Sequence, residues 1–239
     1  MGDTAHFDRR GPSYDQDETH KRIVELLLAP FTFVRDERVL DLATGTGLVA
    51  LQVAKLLGSS GWVIGLDNSA GMLAAARRSA EAAQLSNVQF ELGDAEKPSF
   101  DDFSFDRLFC GSALVLMSDI LAALRRWHDL LKPGGTIAFD TPSKPFGFSQ
   151  RASEAALRHG VELSYGEVAD TPGKCCALVE QAGFEVVSVR KEVASVAPIA
   201  LSQVIAMYDE RLDHPAWLRV SRDREHRFQM IVSRDFAGS

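Results

Sequence analysis

Apolar residues recur along this chain in two alternating rhythms. Short apolar runs occur at Arg38–Leu42, Gly61–Leu66, Val88–Leu92, Phe105–Cys110 and Thr136–Asp140, and later at Phe184–Val189 and Phe228–Val232. Their length and bounding turn residues predict strands. Between them the spacing changes to that of amphipathic helices. Ile23, Val24, Leu26, Leu27 and Leu28 fit a helix over Glu18–Leu28, closed by Pro30. Helices are also predicted over Leu48–Leu57, from a Ser69 cap through Met72 to Ala83, and over Asp119–Leu131, Pro172–Ala182 and Ala200–Leu212. Lys132-Pro133-Gly134-Gly135 predicts a turn before the fifth strand. Strands alternating with helices imply right-handed βαβ units. The expected fold class is therefore α/β: a doubly wound, mostly parallel seven-stranded sheet with helices on both faces.

The rhythm breaks after Thr141, where Pro142–Tyr165 reads as a loop and helix inserted before the next strand. One domain is expected across residues 1–239. Residues 1–37 form an N-terminal cap, 38–141 a ligand-binding core, 142–182 a lid insertion and 183–239 the C-terminal strands and helix.

Composition narrows the partners. The formal net charge is −7, a poor basis for binding phosphate-rich nucleic acid. Arg219, Arg222, Arg224 and Arg227 are interrupted by Asp223 and Glu225, which reads as a solvated mixed-charge face. Cys110, Cys175 and Cys176 have no metal-ligand spacing, and adjacent cysteines rarely bridge one another. A reduced, cytoplasmic protein without a metal is expected. No apolar run approaches the roughly 20 residues of a membrane span, and Met1–Pro12 lacks the apolar centre of a signal peptide.

The first chemical signal is Gly45-x-Gly47 between a predicted strand and a helix. Glycine lets backbone approach a ligand closely, and a helix start presents unpaired N–H groups. Asp67 follows Gly47 by twenty residues, where nucleoside-binding α/β sheets place a carboxylate for ribose hydroxyls. The third glycine position of a dinucleotide fingerprint is Ala50, which that fingerprint tolerates. The segment alone leaves NAD, another nucleoside cofactor and a plain tight turn all open.

Five blocks in order then carry a resemblance. Val39-Leu40-Asp41-Leu42-Ala43-Thr44-Gly45-Thr46-Gly47, Gly65-Leu66-Asp67-Asn68-Ser69-Ala70-Gly71-Met72-Leu73, Phe90-Glu91-Leu92-Gly93-Asp94-Ala95-Glu96, Phe105-Asp106-Arg107-Leu108-Phe109-Cys110 and Leu131-Lys132-Pro133-Gly134-Gly135-Thr136 together resemble class I S-adenosylmethionine-dependent methyltransferases. The resemblance is strongest to the ubiquinone and menaquinone biosynthesis branch. It implies a Rossmann-like fold and S-adenosylmethionine as cofactor. It also implies that Asp41, Thr44 and the backbone of Ala43, Gly45 and Gly47 hold the methionine end and ribose. Asp67 would accept from the ribose hydroxyls, with Asn68 and Met72 bordering adenine. Gly93, Asp94 and Ala95 would read the adenine edge, and the Cys110 and Gly111 backbone would face the ammonium group. Tyr14 stands where this branch often folds an aromatic over the cofactor, although a core role fits it equally.

The acceptor is less legible. Methyl transfer from a sulfonium is an in-line displacement whose electrophile comes with the cofactor, so a general base is optional. No catalytic residue is assigned. Gly111-Ser112-Ala113-Leu114-Val115-Leu116 lacks the Asn/Asp-Pro-Pro of related enzymes that methylate nucleobase nitrogens. Phe146, Phe148 and Tyr165 in the insertion suit a small, partly apolar acceptor. His159 and Tyr165 can equally be exposed or structural residues. O-, N- and C-methylation, cyclisation or decarboxylation on the same fold, a non-catalytic cofactor-binding role, and a homodimer all stay open.

Overall fold

The structure is a computed structural model, and it describes residues 7–8, 18–142, 169–194 and 225–234. In chain order the elements are α1 (Glu18–Leu28), β1 (Arg38–Leu42), α2 (Leu48–Leu57), β2 (Trp62–Asp67), α3 (Ala70–Ala82), β3 (Val88–Leu92), β4 (Phe105–Cys110), α4 (Ile120–Leu130), β5 (Leu131–Pro142), α5 (Pro172–Gln181), β6 (Phe184–Ala194) and β7 (Glu225–Arg234). The strands form one sheet in the order β3-β2-β1-β4-β5-β7-β6. β1 to β5 pair in parallel, and β7 lies antiparallel between β5 and β6. This is the Rossmann-like, mostly parallel α/β architecture expected from the sequence.

The central strands are apolar on both faces because both faces are covered. Successive side chains of a strand point to opposite sides. Val39, Val63, Phe109 and Ala138 accordingly pack with α1, α2 and α3 through Leu27, Val53 and Leu73. Leu40, Ile64, Leu108, Ile137 and Phe139 pack with α4 and α5 through Leu124, Trp127 and Val179. Burying each of the Val, Leu, Ile and Phe side chains among them contributes roughly 1.5–3 kcal/mol.

Three strands differ in extent from those expected. β5 begins at Leu131, not at Thr136. Its register jumps from Leu131 opposite Phe105 to Thr136 opposite Arg107, so the turn is an excursion within the strand. Pro133 has no N–H for the ladder, and Gly134 adopts φ +75° there. β6 and β7 each run longer than expected because they pair with one another from Phe184 opposite Arg234 to Ala194 opposite Glu225. Such long-range pairing extends a strand beyond its apolar segment. The lid insertion with Phe146, Phe148, His159 and Tyr165, the N-terminal Tyr14, the helix expected over Ala200–Leu212, and Arg219, Arg222 and Arg224 lie outside the described residues.

Candidate active site

The parallel strands bring the ends of β1 to β5 to one edge of the sheet, and the strand order reverses between β1 and β4. Open α/β sheets bind ligands at that edge. Asp41 and the Ala43–Gly47 loop, Asp67, Gly93–Ala95 and Cys110–Gly111 lie at or just beyond the ends of these strands.

The β1–α2 loop is built around a buried carboxylate. Asp41 is 2% exposed. Its Oδ2 accepts from the Thr44 hydroxyl at 2.5 Å and from the Ala50 N–H at 3.1 Å. It thus ties the turn to the first turn of α2, a scaffolding role the motif did not reveal. Burial pushes its pKa up to about 7, against the opposing effect of the Thr44 and Ala50 hydrogen bonds. Ala43, Gly45 and Gly47 all have positive φ, at 54°, 56° and 83°. A Cβ on Gly47 would meet the Phe90 ring at 2.9 Å, whereas one on Gly45 would meet nothing within 4 Å. Gly47 is therefore required by the core, and Gly45 exposes bare backbone to open space.

Asp67 ends β2 beside this loop. Its Oδ2 accepts from the Gly45 N–H and its Oδ1 from the Ser69 N–H, both at 2.8 Å. The Asn68 backbone also bonds this carboxylate, which has about four acceptor sites, so acceptor capacity remains for a ligand hydroxyl. Burial raises its pKa against those hydrogen bonds, with a smaller push from the Asp8 charge. Ser69 caps α3 as expected, accepting from the Met72 N–H at 3.1 Å. Met72 is 2% exposed and belongs to the protein interior.

Asp94 follows β3, where its Oδ1 accepts from the Glu96 N–H at 2.9 Å. This side-chain turn fixes the Asp94–Ala95 backbone. Two contacts missed in the sequence hold it from outside. The Trp127 indole donates to the Ala95 carbonyl at 2.7 Å. Glu96 accepts from Ser118 N–H, Ser118 Oγ and Asp119 N–H at 2.8, 2.7 and 3.2 Å. Gly93 packs against Leu66, whose Cδ1 lies 2.7 Å from the place of a Cβ.

At the exit of β4, Cys110 is fully buried and its thiol is held neutral, by burial first and then by the Asp140 and Asp41 charges. Cys175 is likewise buried, which pushes its thiol up to about 12. His128 stacks edge-on to Phe184 at the start of β6. Among the described residues no group of three or more His, Cys, Asp or Glu side chains is arranged to hold a metal ion, and no helix is long and apolar enough to cross a membrane.

The site runs along the sheet edge from the Asp94–Ala95 turn at β3, through Asp67 at β2 and the Gly45 loop at β1, to Cys110 at β4. Carboxylate acceptors thus sit in the middle, between the Asp94–Ala95 turn on one side and the β4 exit on the other. This arrangement fits an elongated nucleoside ligand.

Residues 34–192 match a methyltransferase domain family. Aklanonic acid methyltransferase DauC of Streptomyces sp. (strain C5) is 34% identical over 145 residues, covering 58% of this chain and 64% of that protein. The ubiquinone/menaquinone biosynthesis C-methyltransferase UbiE of Coxiella burnetii is 40% identical over 110 residues, covering 46% of this chain and 44% of that one. The chain therefore spans between 44% and 64% of these relatives' length. The crystal structure of a SAM-dependent methyltransferase from Aquifex aeolicus superposes with a TM-score of 0.64 at 16% identity, covering 98% of this chain and 99% of that one. That likeness is one of fold.

Proposed function

Because the chain belongs to the methyltransferase domain family, we propose that it is an enzyme transferring a methyl group from S-adenosylmethionine to a small-molecule acceptor. The observation that carries this reading is the Asp67 carboxylate, fixed by the Gly45 and Ser69 N–H groups beside bare loop backbone. It supplies ribose-hydroxyl acceptors at the centre of the site.

When bound, the cofactor supplies a sulfonium-linked methyl group as the electrophile. The residues here bind and orient. Asp67 holds the ribose, the Asp94–Ala95 turn with Gly93 reads adenine, and Asn68 borders it. Asp41 and Thr44 set the loop Ala43–Gly47 that receives the methionine end. The Cys110 and Gly111 backbone faces the ammonium group. Met72 acts from the interior by supporting the α3 start. Rate acceleration then rests chiefly on alignment of the acceptor and exclusion of water.

The finer architecture belongs to the same reading. The same reading assigns acceptor choice to the insertion after the fifth strand and a cofactor contact to Tyr14, both among residues outside those described. In this reading residues 1–239 act as one domain, in the cytoplasm. Isothermal titration tests the cofactor assignment: S-adenosylhomocysteine binds more tightly than NAD. Mass spectrometry with methyl-labelled S-adenosylmethionine tests transfer to aklanonic acid and a panel of small, partly apolar acceptors. Tighter binding of NAD overturns the assignment. Cofactor binding with no labelled product from any acceptor favours non-methylating chemistry.

A further inference from the structure

Ser112 follows the exit of β4 with φ +59°, a conformation that costs a side-chain-bearing residue energy and persists only when neighbours impose it. The restraint comes from the next strand. Phe139 of β5 pairs with Cys110 of β4, which carries Asp140 alongside Gly111. Asp140 is 4% exposed, and its Oδ1 accepts from the Ser112 N–H at 2.7 Å. A buried carboxylate accepting from backbone N–H makes one of the stronger hydrogen bonds available to a loop. Asp41 on the β1 side and Asp140 on the β5 side both act electrostatically on Cys110 between them. The β4 exit is thus set between two buried acids.

We propose that Asp140 is a positioning residue for the methionine end of the site. It holds the Ser112 N–H and so fixes the path of the Cys110–Gly111–Ser112 backbone. The inference rests on the cofactor reading above. Its location follows from the strand order: Asp94 at β3 and Asp67 at β2 lie toward the nucleoside end, and β4 lies beyond β1 on the other side. An effect of Asp140 is therefore confined to the part of the ligand farthest from adenine.

Two commercial probes separate these ends. S-adenosylhomocysteine carries the amino-acid tail, and 5′-methylthioadenosine lacks it. Titration calorimetry of Asp140→Ala is expected to show S-adenosylhomocysteine weakened by roughly ten- to a hundredfold, the range for loss of a charged hydrogen bond. Binding of 5′-methylthioadenosine stays within about threefold, taken as the calorimetric margin for a difference well below one such bond. Asp140→Asn keeps an oxygen for the Ser112 N–H and restores S-adenosylhomocysteine binding to within about threefold on the same margin. Ser112→Gly removes the conformational cost, so adding Asp140→Ala to it produces a smaller loss than in the unaltered chain. Equal weakening of both probes by Asp140→Ala, or an Asp140→Asn variant as weak as Asp140→Ala, overturns the proposal. So does full additivity with Ser112→Gly. If Asp140→Ala does not fold, Asp140→Asn and Ser112→Gly decide: a selective loss of S-adenosylhomocysteine binding in Asp140→Asn refutes positioning by the hydrogen bond. An unaltered chain that binds neither probe refutes the cofactor reading instead.

Discussion

The Trp127 indole N–H points across the interior to the Ala95 carbonyl, 2.7 Å away, so a helix that follows β4 fixes a turn that follows β3. Trp127 is fully buried, and the hydrogen bond has no solvent to replace it. Trp127→Phe leaves that carbonyl unsatisfied and removes part of a packed ring system. The expected loss of stability is about 2–4 kcal/mol, combining a buried orphan acceptor with a partial cavity. Denaturant unfolding measures it. In the proposed site the turn lies at the nucleoside end, so S-adenosylhomocysteine and 5′-methylthioadenosine are expected to be weakened together, in contrast to Asp140→Ala. A variant as stable as the parent refutes the role.

Asp67→Asn is expected to be as harmful as Asp67→Ala. Both carboxylate oxygens accept backbone N–H groups, from Gly45 and from Ser69. An amide has one oxygen, so its NH2 must face one of these donors. Cofactor affinity falls roughly ten- to a hundredfold in either variant. Calorimetric titration with S-adenosylhomocysteine checks this; an Asn variant that binds normally removes the paired-acceptor argument.

Asp41 gives stability a pH dependence whose sign opposes that of a salt-bridged acid. Its pKa is raised from the ordinary 3.8 to about 7 in the folded chain. Between those values the folded state holds a proton that the unfolded state has released. The Asp41 contribution to stability therefore falls as pH rises from about 4 to about 7, by up to about 4 kcal/mol, and is constant above. Asp41→Asn cannot titrate and keeps an acceptor for Thr44 and Ala50. Unfolding of both proteins at several pH values is expected to show the variant gaining on the parent as pH rises. A difference independent of pH contradicts the shift.

Gly71→Ala tests the contact between the N-terminal residues and α3. Asp8 Oδ1 accepts from Ser69 Oγ at 2.6 Å and from the Gly71 N–H at 2.9 Å. A Cβ on Gly71 would lie 2.5 Å from the Asp8 carbonyl oxygen, so the methyl group displaces that backbone. Faster tryptic cleavage after Arg9 and Arg10 is the expected result, with cleavage measured by mass spectrometry. An unchanged cleavage rate shows that the contact does not restrain the segment.

Much of the fold was legible locally. Apolar runs at Val39–Leu42 and Leu108–Cys110 are buried on both faces, and such runs form only where helices cover both sides. Gly45, Gly47 and Asp67 stand out in the sequence because close backbone approach and a strand-end carboxylate call for particular residue types at particular offsets, and Asp94 stands out through the family resemblance. The tertiary structure alone revealed which groups hold those residues in place. Asp41 is separated from Ala50, Asp67 from Gly45, Ala95 from Trp127, and Ser112 from Asp140 by 9, 22, 32 and 28 residues. Hydrogen bonds between distant segments leave no periodic mark, since either partner is an ordinary residue until strand order and register bring the two together. The same reason hid the full length of β6 and β7, whose ends are set by pairing with each other. Local chemistry thus determined the strands, the turns and the residue types at the candidate site, while sheet order and register decided which of them are held rigid and by what.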